Sequence, residues 1–431
     1  MRDAVFMATM AGLLPLALFR PFVGVLLWCW IAFLNPHRLV YGFTTAIPWA
    51  MVVFAVALAG LVLSGELRRA RFNGVMLMLV VFLACITVTS LTALGDPVAV
   101  WAKYSAVSKV LLGLLLTGAL LTDRWRIHAL IWVMVLSIGY FGVRGGIFAI
   151  ITGGNYRIWG PQQTMIEDNN HLAAAMLVTL PLMNYLRLQS RHALVRTGLA
   201  AAMALTLLST VATYSRGALL GLVAVTLTLW WRSRRKLVSA AVLAVAVAGA
   251  ITFMPPQWAQ RMETLRTYQE DESASQRLML WGVAFRLALD RPMLGTGFTG
   301  TYTRSVVDRV APEAPARAIH SIWFELLAEQ GFPTFFVWCG IILAGAWYAQ
   351  ALVRRARGSS ALRWAHDLGR MAQVSLVAYL VSGTFLSLSY WDFLWTLLVV
   401  IGAAHLLVRQ ESAAAAPVRP WADTRPRWRP A

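Results

Sequence analysis

Apolar runs recur along almost the whole chain, at lengths close to the thickness of a bilayer. A helix needs about 20 apolar residues to cross the hydrocarbon core of a membrane. Twelve candidate segments occur, at residues 4–34, 44–64, 73–94, 105–121, 127–152, 171–186, 197–213, 217–231, 237–254, 332–353, 371–389 and 393–408. The sequence therefore predicts an all-α polytopic membrane protein with about 12 transmembrane helices.

The composition excludes a soluble enzyme, a disordered chain and a collagen-like fibre. Of the 431 residues, 59% are hydrophobic and 13% are charged, and the mean hydropathy is +0.63. A soluble domain has about 45–50% apolar and about 25% charged residues. Cys29, Cys85 and Cys339 all fall in apolar segments, so they cannot form a disulfide framework in the loops.

The first apolar stretch, residues 4–34, is interrupted at Arg20-Pro21. Proline removes a helical hydrogen bond and marks a kink or a break. We count the stretch as one crossing built of two halves, with a re-entrant hairpin as the alternative. No small-residue cleavage site precedes the next apolar run, which favours a first membrane segment over a signal peptide.

The distribution of basic residues predicts the orientation. The net charge is +19, from 38 basic and 19 acidic side chains. Cytoplasmic loops of membrane proteins are enriched in Lys and Arg, and we place these residues inside: Arg68, Arg69, Arg71, Arg124, Arg126, Arg187, Arg191, Arg196, Arg232, Arg234, Arg235, Lys236, Arg354, Arg355, Arg357, Arg363 and Arg370. The predicted organisation is a helical bundle over 1–253, an external loop over 254–331, further membrane helices over 332–408 and a basic cytoplasmic tail over 409–431.

The loop at 254–331 is too long for a plain connector, and loops of this length are usually functional. Within it, Leu278, Trp281, Phe285 and Leu289 share one helical face, which predicts an amphipathic helix on the outer leaflet. The segment 295–300 matches the G-x-G-x-x-G pattern, but no strand precedes it. We interpret it as a tight turn, with a backbone nest for phosphate as the alternative.

A histidine begins another helical pattern at the end of this loop. His320 is followed by Trp323 and Phe324 on one face, and Gly331 and Pro333 end the pattern. A helix N-terminus disfavours the imidazolium form, and a neutral imidazole can act as a general base near neutral pH. The alternative is an ordinary interfacial histidine.

Two arginines occupy unusual positions for a membrane protein. Arg216 lies at the outer junction of two predicted spans, and Arg144 lies inside a span. Such residues are functional candidates, and we expect Arg144 to face a polar cavity. Gly217 and Gly221 form a small-xxx-small pair that allows close helix packing. Capping or snorkelling is the alternative for Arg216.

Further basic residues are predicted on the outer side: Lys103, Arg157, Arg277, Arg286, Arg291, Arg304, Arg309 and Arg317. Basic groups that converge at the outer leaflet suit a phosphate or pyrophosphate head group. For each of these residues, contact with solvent or with lipid head groups is the alternative.

The segment Glu167-Asp168-Asn169-Asn170-His171 precedes a span. Its carboxylates and amides are suited to bind sugar hydroxyls, and capping of the next helix is the alternative. The spacing is not typical of a metal site, and no Cys/His cluster, Ser-His-Asp arrangement, P-loop or HExxH motif occurs. We expect no metal and no other cofactor.

Three of these motifs together resemble the O-antigen ligase family, part of a superfamily shared with O-antigen polymerases. They are Tyr214-Ser215-Arg216-Gly217, the segment from Arg291 to Gly297, and the segment from His320 to Gly331. Arg20-Pro21-Phe22 and Asn35-Pro36-His37-Arg38 also resemble a subgroup described as O-glycosylation ligases associated with the exosortase system.

The resemblance implies a metal-independent glycosyltransferase with a GT-C-like fold, in the bacterial inner membrane, with its active site facing the periplasm. The implied donor is undecaprenyl-pyrophosphate-linked O-antigen. The implied acceptor is a sugar hydroxyl of lipid A–core, and the product is lipopolysaccharide. We assign His320 as the base, Arg216 and Arg291 to the pyrophosphate, and Lys103, Arg144, Arg277, Asp168 and Asn170 to further donor and glycan contacts.

Three other functions remain open at the level of the sequence. An O-antigen polymerase would use the same donor with a growing chain as acceptor, and a protein O-glycan ligase would glycosylate protein. A lipid-linked glycan transporter would carry a charged path across the membrane. The unusual charges gather near one predicted face instead, which favours an enzyme.

Overall fold

A computed structural model describes residues 2–232 and 272–414, together with 236–237, 249, 254–256, 258 and 260. These residues form helices and connecting segments, with no β-strand among them. The helices are α1 (Arg2–Phe19), α2 (Pro21–Leu34), α3 (Trp49–Ser64), α4 (Gly74–Leu91), α5 (Pro97–Leu120), α6 (Arg124–Ile151), α7 (Asn169–Gln189), α8 (Ala193–Ala212), α9 (Arg216–Arg232), α10 (Glu272–Asp290), α11 (Arg304–Val307), α12 (Ile322–Arg355), α13 (Arg363–Gly383) and α14 (Asp392–Ala414).

Seven helices in this part of the chain are long and apolar enough to cross a membrane. They are Arg2–Phe19, Gly74–Leu91, Pro97–Leu120, Arg124–Ile151, Ala193–Ala212, Ile322–Arg355 and Asp392–Ser412. The prediction of an all-helical polytopic membrane protein is therefore confirmed, whereas the total of twelve spans stays a prediction. The expected span over 237–254 and the tail from residue 415 lie largely or wholly outside the described residues.

The break in the first apolar stretch is confirmed at the predicted place. Helix α1 ends at Phe19, and α2 begins at Pro21, with Arg20 in a non-helical conformation between them. Both halves pack against α3. A Cβ atom on Gly60 of α3 would lie only 2.5 Å from the carbonyl oxygen of Leu18, so glycine is needed for this approach.

Small residues bring the central helices together. A Cβ on Gly146 of α6 would lie 2.3 Å from the carbonyl oxygen of Leu205 in α8. Gly221 of α9 lies similarly close to α13, because a Cβ added to it would lie 2.2 Å from Oγ of Ser382. At Gly217 the nearest such contact is 3.7 Å. The predicted Gly217/Gly221 pair therefore has one member that close packing requires.

Helix α12 changes direction at Gly331, whose φ is 71° and ψ is 176°. We call the nine residues 322–330, which precede this kink, the arm. The turn at 295–297 supports the arm, because the amides of Thr296 and Gly297 donate to the carbonyls of Ala328 and Glu329 at 2.9 and 2.8 Å. These two amides are thus engaged within the protein, which supports the tight-turn interpretation over a phosphate nest.

Helix α10 is apolar on two faces. Leu278, Phe285 and Leu289, from the predicted stripe, are exposed, while Trp281 is partly buried. The opposite face, which the stripe does not include, is buried against the segment 306–319 and the arm. Packing of this second face is what brings the N-terminal end of α10 close to the start of the arm.

Candidate active site

A cavity of about 410 Å³ lies where the start of α7, the start of α10 and the residues before the arm converge. It contains four of the eight residues that were assigned to the site from the sequence. The lining residues are Asp168, Asn170, Gln276, Arg277, Leu280, Arg317, His320 and Leu386. Polar and charged groups from distant parts of the chain therefore meet around one open space.

His320 occupies a strained position directly before the arm. Its φ is 51°, in the left-handed region that few residues other than glycine adopt. Its backbone N–H donates to Oγ of Ser387 at 3.2 Å, which ties the strained residue to the segment after α13. Residues held in this way cluster at functional sites, so the conformation supports a functional role for His320 independently of its chemistry.

The surroundings favour a neutral imidazole at His320. Partial burial lowers the pKa of its ring below the ordinary value, and the positive charge of Arg277 lowers it further. The helix begins at Ile322, and the N-cap residue Ser321 makes no side-chain hydrogen bond. A neutral ring with a free electron pair is the form that can accept a proton.

Asp168 is held in its charged form at the opposite wall. Its Oδ1 accepts from the backbone N and from Nδ2 of Asn170, both at 2.8 Å. Burial raises the pKa of Asp168, but hydrogen bonds from His171 and Asn170 outweigh this and hold the pKa well below its usual range. Asp168 thus caps α7, as one of the two sequence interpretations expected, and it also lines the cavity.

Two arginines line the cavity near His320. Arg277 was assigned to the site from the sequence, and it projects from the first turns of α10. Arg317 was noted only as an outer basic residue, and its Nη1 donates to Oε1 of Gln276 at 3.1 Å. Gln276 was not singled out, since nothing in the local sequence distinguishes it. Its position beside Arg277 becomes meaningful only once α10 is placed against the arm.

Arg216 lies close to this region but does not line the cavity. It begins α9 and is buried, and Tyr214 before it has a φ of 59°. The segment is joined to α7, because Nδ2 of Asn169 donates to the carbonyl of Thr213 at 2.7 Å. The predicted role of Arg216 at the pyrophosphate stays a prediction.

Lys103 belongs to a separate cluster around the glutamates of the arm. Its Nζ lies 2.8 Å from Oε1 of Glu329 and 3.4 Å from Oε1 of Glu325. The hydroxyl of Tyr390 donates to Oε2 of Glu329 at 3.0 Å, and Ser389 donates to Oε2 of Glu325 at 2.9 Å. We call Lys103, Glu325, Glu329 and Tyr390 the buried ion-pair cluster. Sequence analysis missed both glutamates, because acidic residues at i and i+4 on an apolar helix carry no signal of their partner.

Arg291 and Arg144 lie apart from the His320 cavity. Arg291 donates from Nη1 to the carbonyl of Thr92 at 2.9 Å. Arg144 is exposed beside a groove with mostly apolar walls, including Leu136, Val143 and Ile147. The expectation that Arg144 faces a polar cavity is therefore wrong, since its helix face is the apolar outer surface of α6.

Within the described ranges, no three His, Cys, Asp or Glu side chains are grouped as metal ligands would be. The groups that could hold an anionic ligand in the cavity are the side chains of Arg277 and Arg317. His320, Asp168 and Asn170 could contact hydroxyl groups of the same ligand. The arrangement is suited to deprotonate a hydroxyl beside a phosphate-bearing group.

Two family models match the chain. Residues 201–339 match a model described as O-antigen ligase, and residues 1–191 match a model described as a family of unknown function. The first match contains Arg216, Arg277, Arg317 and His320, and the second contains Asp168 and Asn170. No curated protein sequence matches the chain.

Proposed function

We propose that this chain, a member of the O-antigen ligase family through residues 201–339, transfers a lipid-linked glycan to an acceptor hydroxyl. The family supports a ligase- or polymerase-type function. The specific proposal is an O-antigen ligase, with undecaprenyl-pyrophosphate-linked O-antigen as donor and a sugar hydroxyl of lipid A–core as acceptor. The observation that carries it is the strained, partly buried His320 in a cavity with Arg277 and Arg317.

The proposed reaction is a direct displacement at the anomeric carbon of the donor. Nε2 or Nδ1 of His320 takes the proton of the acceptor hydroxyl as its oxygen bonds to the anomeric carbon. The bond between that carbon and the pyrophosphate oxygen breaks, and undecaprenyl pyrophosphate leaves with the electron pair. The configuration is inverted, and a product that retains the donor configuration would contradict the proposal.

The arginines have the second role in this proposal. Pyrophosphate gains negative charge as it leaves, and guanidinium groups stabilise such charge through paired hydrogen bonds. Arg277 and Arg317, which line the cavity, are proposed for this role, with Arg216 as the third candidate. Asp168 and Asn170 are assigned to glycan hydroxyls. No metal or other cofactor is included in the mechanism.

The proposed setting is the bacterial inner membrane, with the cavity on the periplasmic side. Lipid-linked donor and lipid acceptor would then both approach from the outer leaflet. Residues 1–253 and 332–408 would form the membrane bundle, and 254–331 the external loop, while the arginine-rich loops and the tail at 409–431 would lie in the cytoplasm.

Reconstitution with defined substrates tests the proposal. Purified wild-type protein and His320→Ala are each mixed with polyprenyl-pyrophosphate-linked glycan and lipid A–core, with a chelator present. We expect glycan on lipid A–core with the wild type only. Longer polyprenyl-linked glycan would indicate a polymerase instead, and glycan on protein would indicate a protein O-glycan ligase. Movement of donor across the bilayer that persists in His320→Ala would indicate a transporter.

A further inference from the structure

A second cavity, of about 370 Å³, belongs almost entirely to the segment that matches the family of unknown function. All of its lining residues come from that segment except Trp391 and Asp392. Its walls are largely apolar and aromatic, with Trp28, Phe33 and Phe54 among them. The dimensions and walls suit hydrocarbon more than sugar.

Asn35, the first residue of the motif Asn35-Pro36-His37-Arg38, lies in the wall of this cavity, and the proposed chemistry leaves the motif without a role. Asn35 lines the cavity with a φ of 51°, and Gln163 lines it with a φ of 58°. Nη1 of Arg38 donates to Oε1 of Gln163 at 2.6 Å. The backbone N of Gln163 in turn donates to Oε2 of Glu167 at 2.7 Å. Asn35 is the left-handed C-cap of α2, whereas Gln163 has a positive φ that is uncommon for its residue type and that these two hydrogen bonds hold in place.

One loop separates this apolar cavity from the candidate active site. Residues 163–166 line the apolar cavity, and Asp168 lines the cavity that contains His320. Two residues of extended chain span at most about 7 Å. The two cavities are therefore neighbours, with this loop between them.

Lys109 adds a charge to the apolar walls. It is exposed, and no carboxylate lies within 4.0 Å of its Nζ among the residues that the structure describes. Asp392 lines the same cavity, where its Oδ1 accepts from the backbone N of Phe393 at 2.8 Å. A cation on a membrane helix usually pairs with an anion, and the phosphate of a lipid supplies one.

We propose that this cavity is the docking site for the lipid acceptor: a hydrocarbon chain fills it, Lys109 contacts a phosphate of that lipid, and the acceptor hydroxyl reaches His320 past residues 163–168. The inference rests on the proposed function. The three candidates for the pyrophosphate of the donor, Arg216, Arg277 and Arg317, fall in the O-antigen ligase match. The apolar cavity falls mostly in the segment with the other family match, and we assign it to the other substrate, the acceptor.

Photo-crosslinking of full-length protein in nanodiscs tests this site. The acceptor probe is lipid A with a diazirine on an acyl chain, and the donor probe is polyprenyl pyrophosphate with a diazirine on the isoprenoid chain. We expect the acceptor probe to label peptides from 28–54 and 106–112, and unlabelled donor lipid not to compete. Labelling of these peptides by the donor probe would overturn the proposal.

Ala106→Phe fills the cavity, since Ala106 lies in its wall, whereas Ala59→Phe adds the same side chain on an exposed position of α3 that does not line it. We expect Ala106→Phe to remove the label and to raise the acceptor KM about tenfold or more, with an unchanged donor KM. Ala59→Phe should match the wild type, and Lys109→Met should weaken labelling.

Three outcomes contradict the site or the reaction separately. Equal labelling in Ala106→Phe and the wild type overturns the docking site. Transfer to a protein acceptor that Ala106→Phe blocks would replace the lipid with a hydrophobic polypeptide as occupant. No transfer by the wild type with any acceptor, together with specific labelling of the cavity, would refute the proposed function while the docking site stands as a lipid site.

Discussion

Two polar clusters, one around the glutamates of the arm and one before its start, place their charged groups in different surroundings. In the buried ion-pair cluster, the carboxylate of Glu329 is fully buried and receives Lys103, Tyr390 and the backbone N of Thr299. In the cavity, His320, Arg277 and Arg317 surround open space. The two clusters look alike in sequence, because each contains a basic side chain that is predicted on the outer side.

We expect the ion-pair cluster to contribute to stability and the cavity to contribute to substrate binding and transfer. A cation that already has two carboxylates within 3.4 Å has little left to offer a pyrophosphate. Breaking such a pair leaves a buried charge and destabilises the fold. The side chains of Arg277 and Arg317 line open space, where an incoming anion can reach them. The following predictions test this division.

The largest effect on transfer is expected at His320. We expect His320→Ala to lower kcat by about 10²–10⁴-fold, because the acceptor hydroxyl loses its base. Thermal stability in detergent should remain close to that of the wild type, since the ring lies beside an open cavity. Transfer at a normal rate to lipid A–core by the purified variant would exclude His320 as the base.

Lys103→Met is expected to act through folding instead. Removal of one partner from a buried pair costs about 3–5 kcal/mol, and the 25% exposure of Lys103 places this case at the lower end. We expect a large loss of thermal stability and of expressed protein, with near-normal donor KM for the fraction that folds. A stable variant with a strongly raised donor KM would instead return Lys103 to the pyrophosphate site.

Arg277→Lys keeps the charge but loses the planar pair of donors. We expect a donor KM raised by about tenfold and no loss of stability, because lysine cannot form paired hydrogen bonds with phosphate. Arg286→Lys is the matched control, because Arg286 is exposed on the same helix. Equal kinetics in Arg277→Lys and Arg286→Lys would remove Arg277 from the site.

The pH dependence sharpens the role of the cavity. The pKa of His320 lies below its ordinary value, so the neutral base persists at mildly acidic pH, and transfer should fall only as the pH drops through that lowered pKa. The acid limb of kcat/KM should therefore lie below pH 6.5. Arg277→Gln removes a charge that lowers the pKa, and we expect the limb to move to higher pH. If the acid limb did not move, the group that titrates would be one other than His320.

The smallest effect is expected at Arg291. Its Nη1 donates to the carbonyl of Thr92, and loss of one such bond costs about 1 kcal/mol. Arg291→Ala should lower stability slightly and leave donor KM unchanged. A donor KM raised as much as in Arg277→Lys would support the role that sequence analysis assigned to Arg291.

Much of the candidate site could be predicted because its signals are local. His320 directly precedes a helical pattern that Gly331 interrupts, and the structure has the helix beginning at Ile322 and kinking at Gly331. Asp168 lies at the start of an apolar span, where it caps α7. The break at Arg20-Pro21 follows from proline chemistry alone. Arg317 and Gln276 had no such signal, because their meaning depends on the packing of α10.

From the sequence alone it was possible to predict a helical membrane protein, the ends of several helices and the histidine that precedes the arm. These features depend on apolar run length and on residues within a few positions of each other. Which basic residues share a cavity depends on how the helices pack. The ion pair of Lys103 and Glu329 joins residues 226 positions apart, and the hydrogen bond of Arg317 and Gln276 joins residues 41 positions apart. A basic side chain is the same chemical group in an ion pair and beside an open cavity. Its partners, and therefore its chemistry, are set by how the helices pack.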